Sequence, residues 1–277
     1  MRVMGIVNAT PDSFSDGGLF LDPEAGLAHA LRLVAEGADI LDIGGESSRP
    51  GAQPVSEADE IARVVPLITA IRAATSVPIS IDTVKPAVAR AALAAGASIW
   101  NDIAALAAPG APETAAELGC EVILMHMQGE PRTMQAAPRY DDVVAEVCEF
   151  LLARADAAMA AGVARERIWL DPGIGFGKTL AHNLALMAAL DQIVALGFPV
   201  LLGASRKSFL ARLDPAAQDP THRLGGSLAA ALAGASAGVA AVRVHDVAQT
   251  VQALRVWEAV KARHPIRSSR RRPGPRS

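Results

Sequence analysis

The chain has 277 residues, of which 51% are hydrophobic and 20% charged, with 23 glycines and 18 prolines spread along its length. That length suits one large α/β barrel or two ordinary domains, and the apolar content excludes wholesale disorder. The formal charge of −3 hides five arginines from Arg267 to Arg276, so the rest of the chain sits near −8 (−3 − 5) and offers no broad basic face for nucleic acid.

In chain order, short apolar runs alternate with longer stretches of helical spacing, the pattern of repeated βα units. Val3–Val7 opens the series, and Pro23 to Glu36 follows as an amphipathic stretch. Ile40–Ile43 precedes Ser56 to Ala74, where Ser56 with Asp59 three positions later reads as a capped helix start. Pro78–Ile81 leads into Pro86 to Ala95; Ala97–Trp100 and Val122–Met125 come next, and Asp141 to Ala161 reads as a helix. Ile168–Leu170, the helical stretch Leu184 to Leu196, Pro199–Leu202, Val239–Val242 and a last helix, Val247 to Arg263, complete the series. Eight strands with intervening helices predict a single (β/α)8 TIM barrel over residues 1–264. The remainder, 265–277, reads as a disordered basic tail.

Cys120 and Cys148 alone provide neither a disulfide framework nor a thiolate metal cluster. The first eight residues lack the charged region and cleavage site of a signal peptide, so a cytoplasmic protein is expected. Leu224 to Val242 is uncharged and nearly long enough to span a bilayer, but it is mostly Ala and Gly and includes Ser227 and Ser236. It reads as an interior helix running into a strand, with no membrane partner.

In such a barrel the chemistry sits at the C-terminal mouth, so the first polar residues after each run are expected to face one cavity. They are Asn8, Asp42 with Glu46, Asp82, Asn101 with Asp102, His126, Asp171, Ser205 with Lys207, and Arg243 with His245. Carboxylates and amides come from the middle strands and cations from the last two. The first group suits a neutral heterocycle with amino and carbonyl edges. Arg243 and His245 alternate with Val244 and would hold an anion with Lys207. The alternative is an internal ion pair between Arg243 and Asp42 or Asp82. Gly177-Lys178-Thr179 ends like a P-loop, but Pro172 stands where that motif needs glycine. Gly173, Gly175 and Gly177 also miss the dinucleotide spacing and are expected to form a tight turn that brings backbone close to a ligand. No His-Glu-x-x-His occurs, which leaves zinc catalysis without support.

Two polar, glycine-rich loops, Thr10–Gly18 and Gly44–Gly51, follow strand ends and suit mobile lids. Met4-Gly5-Ile6-Val7-Asn8-Ala9-Thr10-Pro11-Asp12-Ser13-Phe14-Ser15-Asp16-Gly17-Gly18 resembles the first signature of the dihydropteroate synthases, within the pterin-binding enzymes. Asp42-Ile43-Gly44-Gly45-Glu46-Ser47-Ser48-Arg49-Pro50-Gly51 resembles the second. Ser80–Thr83, Trp100–Asp102, Met125–Gly129, Asp171–Gly173, Ser205–Ser208 and Arg243–Asp246 resemble the rest in order, from Met4 to about Val260.

The resemblance implies a transferase of folate biosynthesis that joins 6-hydroxymethyl-7,8-dihydropterin diphosphate to p-aminobenzoate, and a sulfonamide target. It implies pterin contacts from Asp82, Asn101, Asp171, Lys207 and Arg243, and a diphosphate site at Asn8, Arg243 and His245. Mg2+ would be held by Asn8 and phosphate oxygens. p-Aminobenzoate would be enclosed by Phe14, Ser48, Arg49, Pro50, Phe176, Lys207 and Ser208, with its carboxylate near the helix start at Ser208. Asp16 would stabilise a transient cation, and Asp16, Lys207, Arg243 and His245 form the catalytic set. A homodimer is also implied. Two positions depart from the commonest pattern: Ser48 stands where threonine is usual, and Ala204 where methionine often precedes Ser-Arg-Lys. A related group, the pterin-binding methyltransferases, needs no diphosphate clamp, and the Arg243-Val244-His245 pattern discriminates against it.

Overall fold

A computed structural model describes residues 1–9, 23–47, 53–130 and 133–263. Eight strands form one parallel sheet: β1 (Arg2–Asn8), β2 (Ile40–Gly44), β3 (Ile79–Asp82), β4 (Ile99–Asp102), β5 (Glu121–Met125), β6 (Ile168–Asp171), β7 (Leu201–Leu202) and β8 (Ala241–Val244). The hydrogen-bonded order runs β6-β5-β4-β3-β2-β1-β8-β7. A single parallel bridge, Leu170 to Val200, joins the two ends and closes the barrel. Helices fill the crossovers: α1 (Pro23–Ala35), α2 (Glu57–Ala74), α3 (Pro86–Ala94), α4 (Ala111–Leu118), α5 (Val143–Ala160), α6 (Leu180–Ala188), α7 (Leu190–Val194), α8 (Ser208–Leu213), α9 (Leu224–Ala237) and α10 (Val247–Arg263).

Although the strands read as continuous apolar runs, their side chains divide by the period of two. One set, including Leu41, Ile81, Trp100, Leu124, Leu170 and Val242, faces outward and packs with the helices. The other set, Met4, Ile40, Ile99, Ile123, Trp169, Leu201 and Ala241, forms a separate buried cluster inside the barrel. Two residues further along each strand, the same inward direction belongs to Ile6, Asp42, Asp82, Asn101, Met125, Asp171, Gly203 and Arg243. The apolar floor therefore gives way to a charged layer one step higher, and the fold needs no further device to gather those groups.

Ser56 caps α2, accepting a hydrogen bond from the Asp59 amide at 3.1 Å. The helix expected over Leu184–Leu196 instead begins at Leu180 and breaks at Ala189 into α6 and α7. Its start is set by Thr179, whose side chain accepts from the His182 amide while His182 accepts from the Thr179 amide. Thr179, the last residue of the P-loop-like sequence, is thus the N-cap of a capping box. The short helix α4 was not anticipated; at 8 residues it is too short for periodicity to mark it. Leu224–Val242 is a helix running into a strand, and among the described residues no helix is long and apolar enough to cross a membrane. The basic tail lies outside the described residues.

Candidate active site

Arg243 crosses the barrel mouth. Its Nε donates to Asp42 Oδ2 at 2.6 Å and its Nη2 to Asp82 Oδ2 at 2.8 Å. Asp42 is fully buried and also receives the Asn101 amide at 3.3 Å. The internal ion pair posed by the sequence is therefore formed, with both carboxylates at once. Burial raises Asp82 to about 7, and the Arg243 charge opposes that rise. Asp171, on the far side, is raised in the same direction by burial, while Lys207 and the hydrogen bond from the Gly173 amide at 2.7 Å pull it back. Burial lowers Lys207 to about 8 against the attraction of Asp171. Three carboxylates and two cations thus share a layer closed to water on its lower side, and burial works against the charged forms of Asp82, Asp171 and Lys207.

Gly203 places no side chain in this layer. A Cβ placed there would lie 3.7 Å from Lys207 Nζ, 3.8 Å from Asp171 Oδ2 and 4.0 Å from Arg243 Cβ. The Lys207 ammonium donates to the Ile174 carbonyl oxygen and sits 4.5 Å from the centre of the Phe176 ring. Lys207 also precedes Ser208, the first residue of α8, as the family resemblance implied.

Arg206, between Ser205 and Lys207, adopts φ 57°, a left-handed conformation costly for a residue with a Cβ. Several contacts hold it there. Its guanidinium forks onto Asp246, its amide donates to Ser227 Oγ at 2.9 Å, and its carbonyl accepts from Arg223 at 2.8 Å. Next to it, Ser205 Oγ lies 3.1 Å from His245 Nδ1 and accepts from the His245 amide at 3.2 Å. The loops after β7 and β8 are thereby locked together, which fixes Lys207 relative to Arg243 and His245.

Three members of the expected polar ring do not join it. Asp102 follows Asn101 directly, so strand alternation turns it outward, where it accepts from the amides of Ala104 at 2.7 Å and Leu106 at 2.8 Å. Glu46 pairs with Lys85, which also bonds Glu60 at 2.6 Å and the Val55 carbonyl at 2.8 Å. His126 is buried among aromatic rings and is pushed down to about 3 by desolvation and Lys178, so it stays neutral. Period-two alternation, applied to the last strand residues, would have removed Asp102 from the ring.

The glycines after Asp171 form the tight turn expected of them. Gly173 and Gly177 have φ of 65° and 59°, and a Cβ on either would collide with the carbonyl oxygens of His126 and Gln128 respectively. They bring two loops together, backbone against backbone. Asn8 ends β1 half-buried, and His245 lies one residue past β8. Phe14, Asp16, Ser48, Arg49 and Pro50 lie outside the described residues.

Residues 4–245 match the pterin binding enzyme family. The dihydropteroate synthase of Escherichia coli K12 is 50% identical over 258 residues, spanning 93% of this chain and 91% of that one. The Xanthomonas albilineans dihydropteroate synthase solved with 4-aminobenzoic acid superposes with TM-score 0.89 at 53% identity, over 95% of this chain and 94% of that chain. A second structure of that enzyme, in complex with 7,8-dihydropteroate, gives TM-score 0.86 at 51% identity, with 95% and 94% covered. Since the match spans nearly the whole barrel and far exceeds what fold alone would give, the chain belongs to the pterin-binding enzyme family, among its dihydropteroate synthases.

Proposed function

We infer that the chain is a dihydropteroate synthase: a transferase that condenses 6-hydroxymethyl-7,8-dihydropterin diphosphate with p-aminobenzoate, giving 7,8-dihydropteroate and pyrophosphate. The observation that carries this reading is the charged layer of Asp42, Asp82, Asn101, Asp171, Lys207 and Arg243 around the space at Gly203. A pterin presents amino and ring N–H donors beside a carbonyl and ring nitrogens. Carboxylates of Asp82 and Asp171 match the donors, Asn101 offers both senses, and Lys207 matches the acceptors. Arg243 would flank the ring.

The diphosphate falls to Asn8, Arg243 and His245, at the ends of adjoining strands β1 and β8. In the reaction the bond from the pterin methylene carbon to the ester oxygen breaks, and its electron pair leaves with pyrophosphate. The p-aminobenzoate nitrogen then bonds to that carbon and gives up a proton. The barrier lies in charge separation, so cations fixed at the departing oxygens act where charge develops. The donor set also fits magnesium: Asn8 offers one hard oxygen and, among the described residues, no cluster of three His, Cys, Asp or Glu could hold a resident ion. A magnesium ion would therefore arrive with substrate, bound by Asn8 and phosphate oxygens, and would supply charge neutralisation to the leaving group. Phe176, Lys207 and Ser208 would bound the p-aminobenzoate site, together with Phe14, Ser48, Arg49 and Pro50, and Asp16 would face the transient cation. A homodimer is part of this reading, and Val256 and Val260, exposed one turn apart on α10, are apolar surface that a second copy could cover.

The test is turnover. The purified chain with both substrates and magnesium should release one pyrophosphate for each dihydropteroate formed, and His245→Ala should slow it by about 100-fold or more. Binding of the pterin without turnover would leave a pterin-binding protein and overturn the catalytic assignment.

A further inference from the structure

Lys178 has no part in the chemistry above, yet it is 1% exposed, among the largest fully buried side chains of the fold. Among the described residues no carboxylate forms an ion pair with it. Its Nζ lies 2.9 Å from His126 Nδ1 and donates to the carbonyls of Phe176 at 2.9 Å, Gly173 at 3.0 Å and His126 at 3.3 Å. Four acceptors converge on its Nζ, which is what a buried amine needs when no carboxylate touches it; burial lowers Lys178 to about 7, while the charge of Asp171 pulls it back up. Neutral His126 serves as one of those acceptors.

The position of these anchors gives the cluster its meaning. His126 belongs to the loop after β5, whereas Gly173 and Phe176 belong to the loop after β6. Between the two pinned carbonyls lie Ile174, whose own carbonyl accepts from Lys207, and Gly175, which packs against the Lys207 side chain. Phe176 itself supplies the ring beneath the Lys207 ammonium. Every contact that the loop makes with Lys207 thus lies on the short segment that Lys178 holds at both ends. Gly173 and Gly177 carry no side chain that could do this, because either would collide with the neighbouring loop.

We propose that Lys178 is a positioning residue: by fastening the β6–α6 loop to the β5–α5 loop it fixes the seat of Lys207 in the pterin site. The inference rests on the reading that Lys207 contacts substrate. Lys178 itself is sealed beneath the loop and touches no substrate. A misplaced Lys207 would weaken stabilisation of both bound pterin and transition state, since displacements of about 1 Å can cost on the order of 100-fold in rate.

The experiment is a kinetic cycle with the parent chain, Lys178→Met, Lys207→Ala and the double variant, each checked for folding by its thermal midpoint. Lys178→Met should lower kcat/KM for the pterin diphosphate by on the order of 100-fold. In the Lys207→Ala background the same change should cost less than about threefold, because the positioned group is gone. A general structural role would produce the same loss in both backgrounds, and that result would overturn the proposal. So would a Lys178→Met enzyme as active as the parent beside a crippled Lys207→Ala. A fully active Lys207→Ala would instead remove the underlying assignment and this inference with it. If Lys178→Met does not fold, His126→Leu removes one acceptor and leaves the three carbonyls. It should lose about tenfold with Lys207 present and nothing measurable without it, and no loss with Lys207 present would overturn the proposal.

Discussion

Replacing Gly203 by alanine separates the site from the fold more cleanly than removing any charged group. The new methyl would meet Lys207 Nζ, Asp171 Oδ2 and Arg243 Cβ at 3.7, 3.8 and 4.0 Å, all ordinary contacts, and nothing closer stands in its way. Gly203 does not occupy the left-handed region, so alanine suits its backbone. The unfolded chain loses freedom, and stability should rise by about 0.4–1 kcal/mol, a change of a few degrees at most in the thermal midpoint. The same methyl fills the floor on which the heterocycle is proposed to rest. One misplaced methyl in a fitted pocket costs about 1–3 kcal/mol, or roughly 10–200-fold in affinity. Calorimetric titration of the pterin diphosphate, with thermal melting in parallel, checks both halves. Affinity unchanged within a factor of two would place the heterocycle elsewhere. A midpoint lowered by several degrees would show that the space is filled by packing and is no binding site.

Asp42→Ala should cost about 3 kcal/mol in urea unfolding, the low end for a broken buried pair, because Arg243 is partly exposed and keeps Asp82; a loss below 1 kcal/mol would contradict the clamp. Asp82 is raised to about 7 in the free protein, so its accepting, charged form is lost as pH falls through that value. Pterin affinity should therefore be level above pH 7.5 and decline below 7, and Asp82→Asn should flatten the profile. His126 is pushed down to about 3, so between pH 6.5 and 3 the unfolded chain binds a proton that the folded chain refuses. Stability should thus fall with acid, by about 1.6 kcal/mol from pH 6.5 to 5 for this group alone, and the difference between the parent and His126→Leu measures it.

The alternation of short runs and helical stretches was enough to read the barrel, because parallel strands buried on both faces must be apolar and must be joined by crossovers. Reading only the first polar residue after each run was cruder. It found Asp82, Asn101, Asp171 and Arg243, whose side chains continue the inward direction of Ile99, Trp169 and their neighbours. It also admitted Asp102 and Glu46, which serve a turn and Lys85. Asp42 was given a task only as one of two alternative ion-pair partners of Arg243, yet it is the group that receives both Arg243 and Asn101. Gly203 and Lys178 could not be found this way, since an opening is defined by its neighbours and a buried lysine by carbonyls that no sequence pattern displays. The three glycines after Asp171 were rightly read as a tight turn, but the partner of Gly173 and Gly177, a loop more than 40 residues earlier, is fixed only by the tertiary fold.

The most direct measurement is a crystal structure of the chain with the dihydropterin diphosphate bound. The heterocycle should lie over Gly203 with its edges on Asp82, Asn101, Asp171 and Lys207, Arg243 should flank the ring, and the diphosphate should reach Asn8 and His245. A heterocycle bound outside this layer, or Lys207 and Arg243 left without contact to it, would contradict the account.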